Sequence, residues 1–267
     1  MKLLSAFPHV LEREYPKVKP EYPLLTVLYL LRMKDVVAVP LSGTDGKSKA
    51  VFGFSCLSRM LYQGPAKFAS TLAEPCVNSA DQLDSVDAHE DLESLLEVFK
   101  ARRLGFAMVT GQGRRGMVTL DDVLGLYSKG TIRTAMRLRD LSNKIVSLPG
   151  TMPTRDALKE MFARRFRRAF IEGGRGYVSD RGIMDRVLGP VALAELAENP
   201  GKDLLATPIA KLELEEPVSV KEQTSVKAAA RRLEGEWGRC LVVGKGRLVT
   251  QWDIVMKPWL AGELEIK

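Results

Sequence analysis

The strongest constraint on this chain is a pattern met four times: an amphipathic helical stripe, a short apolar run, a turn, a second apolar run and a new helix start. Apolar residues at i, i+3, i+4 and i+7 line one face of a helix. Leu24, Val27, Leu28 and Leu31 fit that template, as do Leu92, Leu95, Leu96 and Phe99, and Val226, Ala229, Ala230 and Leu233. Thr154, Ala157, Leu158 and Met161 form a weaker copy. The segment after each stripe also recurs. The second copy runs Phe106 to Val109, the turn GQGRRG, Met117-Val118 and Thr119. The third runs Ala169 to Ile171, EGGRG, Tyr177-Val178 and Ser179, and the fourth Cys240 to Val243, GKGR, Leu248-Val249 and Thr250. The first has Val36 to Val39, the longer loop SGTDGKSK, Ala50 to Phe52, Gly53 and the helix-like FSCLSRML. From the last stripe position to the Ser or Thr the spacing is 20, 18 and 17 residues in copies two to four. In the first copy Leu31 to Cys56, taken as the equivalent position, is 25, the excess being the longer loop.

Each copy thus reads helix, strand, hairpin turn, strand, helix. A short extended piece precedes the helix, as in Leu83 to Val86, Ile145 to Leu148 and Pro217 to Val220. A unit of about 60 residues with three short strands is marginal alone and buries its sheet against a neighbour. Four units therefore predict two pairs. Turn-rich joints around Gln63-Gly64-Pro65, Ser128-Lys129-Gly130 and Asn199-Pro200-Gly201 divide the chain into repeats 1–66, 67–130, 131–198 and 199–267.

Composition narrows the class. With 267 residues, 45% hydrophobic and 27% charged, the chain has enough apolar material for a folded core. Its longest strongly apolar stretch, Pro23 to Leu31, falls far short of the roughly 20 residues that cross a bilayer. The N-terminal stretch is broken by Pro8, Glu12 and Glu14 before any cleavage site, so a cytoplasmic protein is expected. Cys56, Cys76 and Cys240 are far apart, and with only two histidines they suggest neither a disulfide framework nor a metal site. So few histidines also argue against an enzyme, since His is the usual carrier of proton transfer near neutral pH. Three Asn and five Gln beside high charge point weakly to a thermophile. The net charge of +7 fits an anionic partner without identifying it.

Gly111-Gln112-Gly113-Arg114-Arg115-Gly116 matches the dinucleotide fingerprint G-x-G-x-x-G, but such a turn leads straight into a helix. Here Met117-Val118 intervene as a strand, so a hairpin turn is expected. Thr119-Leu120-Asp121-Asp122 and Thr250-Gln251-Trp252-Asp253 share Thr-x-x-Asp directly after a strand. One reading is a helix capping box. The other is a ligand site, in which the helix start and the hydroxyl hold a phosphate and the carboxylate takes two ribose hydroxyls.

These residues, their order and the preceding hairpin resemble the CBS domain family, the regulatory repeats named for cystathionine β-synthase. The stretch Gly116-Met117-Val118-Thr119-Leu120-Asp121-Asp122 carries the likeness best, and Gly246 to Asp253 is similar with one extra residue. The resemblance covers nearly the whole chain as four repeats. It implies an α/β (α+β) fold of four β-α-β-β-α units, paired sheet to sheet into two pseudo-twofold Bateman modules, 1–130 and 131–267. It implies adenosine ligands (AMP, ADP, ATP or S-adenosylmethionine) in clefts between paired repeats, no catalytic cofactor, and a homodimer formed through the modules. Thr119 and Thr250 would face phosphate, and Asp122 and Asp253 ribose. The third repeat keeps Ser179 but has Gly182 at the ribose position, beside Arg181, a further candidate for an anion. The degenerate first repeat has Cys56 and Arg59 at these places, where no ordinary site is expected.

Arg164, Arg165, Arg167 and Arg168, and Arg102, Arg103, Arg114 and Arg115, form basic clusters that are either solvated faces or anion contacts. Trp252 either packs a repeat interface or faces an adenine. The expectation is a non-enzymatic sensor that binds an adenosine ligand and signals to a separate protein partner by changed repeat packing. The alternative is a basic nucleic-acid-binding or assembly protein that uses the same scaffold for contacts.

Overall fold

The computed structural model describes all residues except 13, 14, 17, 35, 43–48, 54, 55, 57–59, 61–64, 175, 200, 237, 238 and 267. The chain divides into two compact units. One comprises Met1–Tyr15, Leu83–Ile145 and Pro217–Lys267; the other comprises Pro16–Gln82 and Val146–Glu216.

In the first unit the second repeat runs strand Ser85–Asp87, helix Leu92–Arg102, strands Phe106–Gly111 and Arg114–Thr119, and helix Leu120–Lys129. The leading strand pairs parallel with Phe106–Gly111, and the hairpin closes antiparallel. The fourth repeat repeats this plan with Val218–Val220, Val226–Leu233, Leu241–Val243, Arg247–Val249 and Gln251–Leu260. The expected extended pieces are therefore strands. Both predicted stripes are buried in one core with Val109, Val118, Leu241 and Val249.

Gln112 and Gly113, at φ 52° and 71°, link Gly111 to its partner Arg114 as a two-residue turn with both central residues left-handed. That geometry matches the right-handed twist of the hairpin strands and favours glycine. The fingerprint is thus a hairpin, as its flanking strands require. Gly116 serves a different need. A Cβ there would overlap the carbonyl oxygen of Val10 and lie 2.6 Å from its carbonyl carbon, because the N-terminal segment crosses the hairpin at this point. Gly116→Ala is expected to cost about 1–3 kcal/mol through overpacking against backbone, read by urea denaturation; an unchanged midpoint would mean that the segment does not press on the strand.

In the second unit the third repeat runs Ser147–Leu148, Thr154–Ala163, Arg168–Ile171, Tyr177–Ser179 and Asp180–Val187, followed by helix Pro190–Glu198. The first repeat supplies helix Leu24–Met33 and strands Ala38–Pro40 and Lys49–Phe52. Among the described residues its leading piece forms a parallel bridge between Val18 and Leu41. The two remaining stripes, Leu24 to Leu31 and Thr154 to Met161, are buried in this unit, the weaker copy as fully as the others.

The units differ from the expected division into 1–130 and 131–267. The helical cores join repeat two with four and repeat one with three. These cores are where the four helix stripes are buried. In the first unit helix Leu120–Lys129 packs on both Val226–Leu233 and Gln251–Leu260. Its C-terminal carbonyls accept from cations of the fourth repeat: Ser128 from Arg231 Nε at 3.1 Å and Lys129 from Lys227 Nζ at 3.1 Å. Positive charge is favourable at that end of a helix. The joints, moreover, are not boundaries at their turn residues. Asp81–Gln82 pairs with Lys49–Phe52, Asn143–Lys144 with Arg247–Val249, and Glu215 with Tyr177, so each joint is stitched by backbone hydrogen bonds into the unit it follows. Gln63, Gly64 and Pro200 of the expected joints lie outside the described residues.

One buried polar group stands out in the first unit. The Tyr127 hydroxyl is buried and has no hydrogen-bond partner among the described residues. Burial pushes its phenol well above the ordinary value. Tyr127→Phe should leave stability unchanged or raise it by about 1 kcal/mol, since it removes an unmatched donor; a loss above that would reveal a partner. The folded state keeps this proton while an unfolded tyrosine releases it near pH 10. Stability is therefore whole below about pH 10 and falls as pH rises beyond it, a loss that Tyr127→Phe is expected to lessen in alkaline denaturation curves.

Candidate functional site

Both Thr-x-x-Asp sequences begin helices, because each Thr leaves its strand in an extended conformation and its hydroxyl then serves as the helix cap. At Thr119 the Asp122 carboxylate accepts from the Thr119 backbone N–H at 2.7 Å and from its hydroxyl at 2.8 Å. The hydroxyl in turn accepts from the Asp122 backbone N–H at 3.4 Å. Thr250 and Asp253 repeat this with 2.9, 2.7 and 3.4 Å. The capping box is thus the observed geometry at both places.

The two differ in their surroundings. Thr119 and Asp122 are both half-buried. Asp253 is only 3% exposed. Its second oxygen accepts from Asn143 Nδ2 at 2.6 Å and faces Lys257 Nζ at 3.2 Å, and Lys257 also donates to the Leu141 carbonyl at 2.6 Å. Both oxygens of Asp253 are engaged within the protein. Asn143 lies 110 residues away in sequence, and spacing gave no sign of it. Lys257 falls at i+4 from Asp253, a spacing that pairs charges on a helix face and was available to sequence reasoning.

Asp121, beside the motif, joins the repeats of this unit. It accepts from the Gly235 backbone N–H at 2.9 Å and from Gln251 Nε2 at 3.0 Å, while Gln251 also donates to the Leu233 carbonyl at 2.7 Å. Trp252 is partly buried against the same core, which matches the packing reading. Asp121 and Gln251 therefore spend their polar groups between repeats two and four.

In the third repeat Ser179 is 0% exposed and caps helix Asp180–Val187, accepting from the Gly182 N–H at 3.0 Å. Its hydroxyl donates to Glu215, a residue that sequence reasoning passed over. Arg181 is drawn to Asp185 one turn on, at 3.7 Å, and Asp185 also holds Arg32 at 3.0 Å. An acidic neighbour thus offsets the cation near the helix start.

The first repeat corrects the sequence alignment. Ala38 pairs with Phe52 as Phe106 pairs with Thr119 and Arg168 with Ser179. Phe52, not Cys56, stands at the cap position. Cys56 is fully buried four residues later, in the place that Val123 takes in the second repeat. Cys56 lies 25 residues from Leu31, whereas strand register closes at Phe52, 21 residues from Leu31 and close to the 20 of the second repeat. Arg59 lies outside the described residues.

Several arginines of the basic clusters have acidic partners. Arg102 contacts Asp84 at 2.6 and 2.9 Å, Arg167 contacts Asp180 at 2.6 Å, and Arg164 approaches Glu160 at 3.9 Å. Arg103, Arg114 and Arg115 are exposed. Among the described residues no group of three His, Cys, Asp or Glu is placed to hold a metal, and no helix is long and apolar enough to cross a membrane.

No family model matches the sequence, and no curated protein matches it. Solved structures do. Protein MJ1225 from Methanocaldococcus jannaschii, described as a proposed archaeal homologue of γ-AMPK, superposes with a TM-score of 0.81 over 96% of this chain and 99% of its own, at 13% identity. This chain has the CBS-domain fold. An uncharacterised conserved protein from Pyrococcus horikoshii matches 82% of the chain and 89% of its own length, with a TM-score of 0.51 and 13% identity. In CBS terms, the helix-start carboxylate of the second repeat is half-buried and that of the fourth buried. The third CBS repeat has a hydroxyl without its own carboxylate.

Proposed function

We propose that this chain is a non-catalytic regulatory protein that takes an adenosine ligand at its CBS helix starts and signals to another protein through altered repeat packing. The observation that carries the reading is the half-buried Thr119 and Asp122 pair at the start of Leu120–Lys129. It combines a hydroxyl and a helix start suited to a phosphate with a carboxylate suited to a vicinal diol. The likeness in fold to a proposed γ-AMPK homologue supports a regulatory role. Thr250 and Asp253 are the second proposed site, one that a ligand enters only by displacing Asn143 or Lys257 from Asp253.

The same helix offers a route from ligand to packing. Asp121 adjoins Asp122 and holds Gly235 and Gln251 of the fourth repeat. A ligand drawing on Asp122 therefore biases contacts between repeats two and four by its differential affinity for their arrangements. Cytoplasmic location, a homodimer and a thermophilic source are proposed with it. Calorimetric titration with AMP, ADP, ATP and S-adenosylmethionine tests the reading. Binding by at least one of them, lowered in Thr119→Ala, is expected. No binding by any, together with salt-dependent binding of a polynucleotide lost on changing Arg103, Arg114 and Arg115, would favour the nucleic-acid reading instead.

A further inference from the structure

The third repeat lacks the Asp that completes the other helix starts, yet its hydroxyl is not without a carboxylate. Position 182 is Gly, and a Cβ built there would lie 3.3 Å from Glu215 Oε1 and 3.5 Å from Ser179 Oγ. The space that a side chain at 182 would enter is used by a carboxylate 36 residues from Ser179 in sequence. Glu215 is fixed in place by its backbone, which donates to the Tyr177 carbonyl at 2.8 Å and accepts from the Tyr177 N–H at 3.0 Å. Tyr177 is two residues before the cap Ser179, and this register repeats elsewhere. Asn143 sits opposite Leu248, two before Thr250, and Asp81 sits opposite Ala50, two before Phe52. The joint thus brings one polar residue to the same register in repeats one, three and four, and in three and four its side chain reaches the helix start.

In the fourth repeat that residue is the neutral Asn143, beside Asp253 from the helix. In the third it is the anionic Glu215, beside Gly182. One carboxylate is kept in both cases, but its source has moved from the helix to the joint.

We propose that Glu215 is an internal partner of the third repeat, supplying from the joint the carboxylate that position 182 lacks and closing that helix start to a nucleotide. The closure rests on the adenosine-binding reading of the other repeats; the seating of Glu215 on Ser179 does not. Ser179 is wholly buried, its hydroxyl proton is committed to Glu215, and its oxygen accepts from the Gly182 N–H. A carboxylate at a helix start also satisfies the positive end of the helix that a phosphate would otherwise meet. The third repeat then acts as a constant part of the scaffold, and ligand response belongs to the repeats with an Asp of their own.

Two measurements test this. In thermal denaturation, Ser179→Ala and Glu215→Ala are each expected to lower Tm by about 2–4 °C, and the double variant to fall no further than the larger single one. Adding Gly182→Asp to Glu215→Ala is expected to restore part of the loss, as the helix regains a carboxylate of its own. Additive losses with no rescue would overturn the seating of Glu215. In calorimetry with AMP and ATP, Ser179→Ala is expected to keep the wild-type number of sites and affinity, whereas loss of one site would overturn the closure. If the wild-type protein binds no adenosine compound, the proposed function fails and the closure with it, while the denaturation series still decides whether Glu215 is the partner of Ser179.

Discussion

Asp253→Ala is expected to lower the stability of the protein by roughly 3 kcal/mol, in spite of occupying the same motif position as the more exposed Asp122. The Asp253 carboxylate is buried and takes hydrogen bonds from the Thr250 N–H and hydroxyl and from Asn143, with Lys257 at 3.2 Å. Truncation removes a cap, about 1 kcal/mol, and the charge-assisted hydrogen bond from Asn143, an exposed residue whose amide can turn to water, about 1.5 kcal/mol. Breaking a fully buried ion pair costs about 3–5 kcal/mol, but Lys257 keeps 30% of its side chain in solvent and retains the Leu141 carbonyl and the Asn143 amide oxygen. Its share is therefore smaller. Urea denaturation of the variant reads the sum directly. A loss below about 1 kcal/mol would mean that the network behaves as a surface pair and that Asp253 is available to a ligand after all.

Asp122→Ala is expected to do the opposite. Stability should fall by only about 1 kcal/mol, the value of the capping interaction, because the carboxylate is half-buried. Adenosine-ligand affinity at the second repeat should fall by roughly tenfold to more than a hundredfold, the equivalent of a charge-assisted hydrogen bond of about 1.5–3 kcal/mol. Calorimetry with the tightest of the four adenosine compounds checks this. Unchanged affinity alongside a folded variant would remove Asp122 from the site and, with it, the main support for the proposed function. The pair of variants separates two roles that a single Thr-x-x-Asp spelling conceals: a carboxylate held by the scaffold and one proposed to meet a ligand.

Much of this molecule was readable from short stretches of chain. The four helix stripes are all buried, the Gly111 to Gly116 turn is a hairpin, and Thr119, Ser179 and Thr250 all cap helices. Each depends on neighbours within a few residues, so local periodicity and turn chemistry suffice. In the first repeat no Ser or Thr marks the end of the second strand, and only strand register shows Phe52 to be the counterpart of Thr119. The Thr-x-x-Asp helix starts were readable as motifs but not as environments. Asp122 and Asp253 look alike in sequence; Asn143 and its distant strand make them different.

The sequence alone therefore determined the order of elements within the units and the capping residues of repeats two, three and four, since these follow from backbone geometry and from side chains close along the chain. Tertiary structure decided the rest. An apolar helix stripe fits many others of similar width, so nothing in its spacing says that repeat two shares its helical core with four, and one with three. Burial of a carboxylate, and the delivery of Glu215 to Ser179 from a joint strand, depend on contacts across many residues of chain, which only packing in three dimensions brings together.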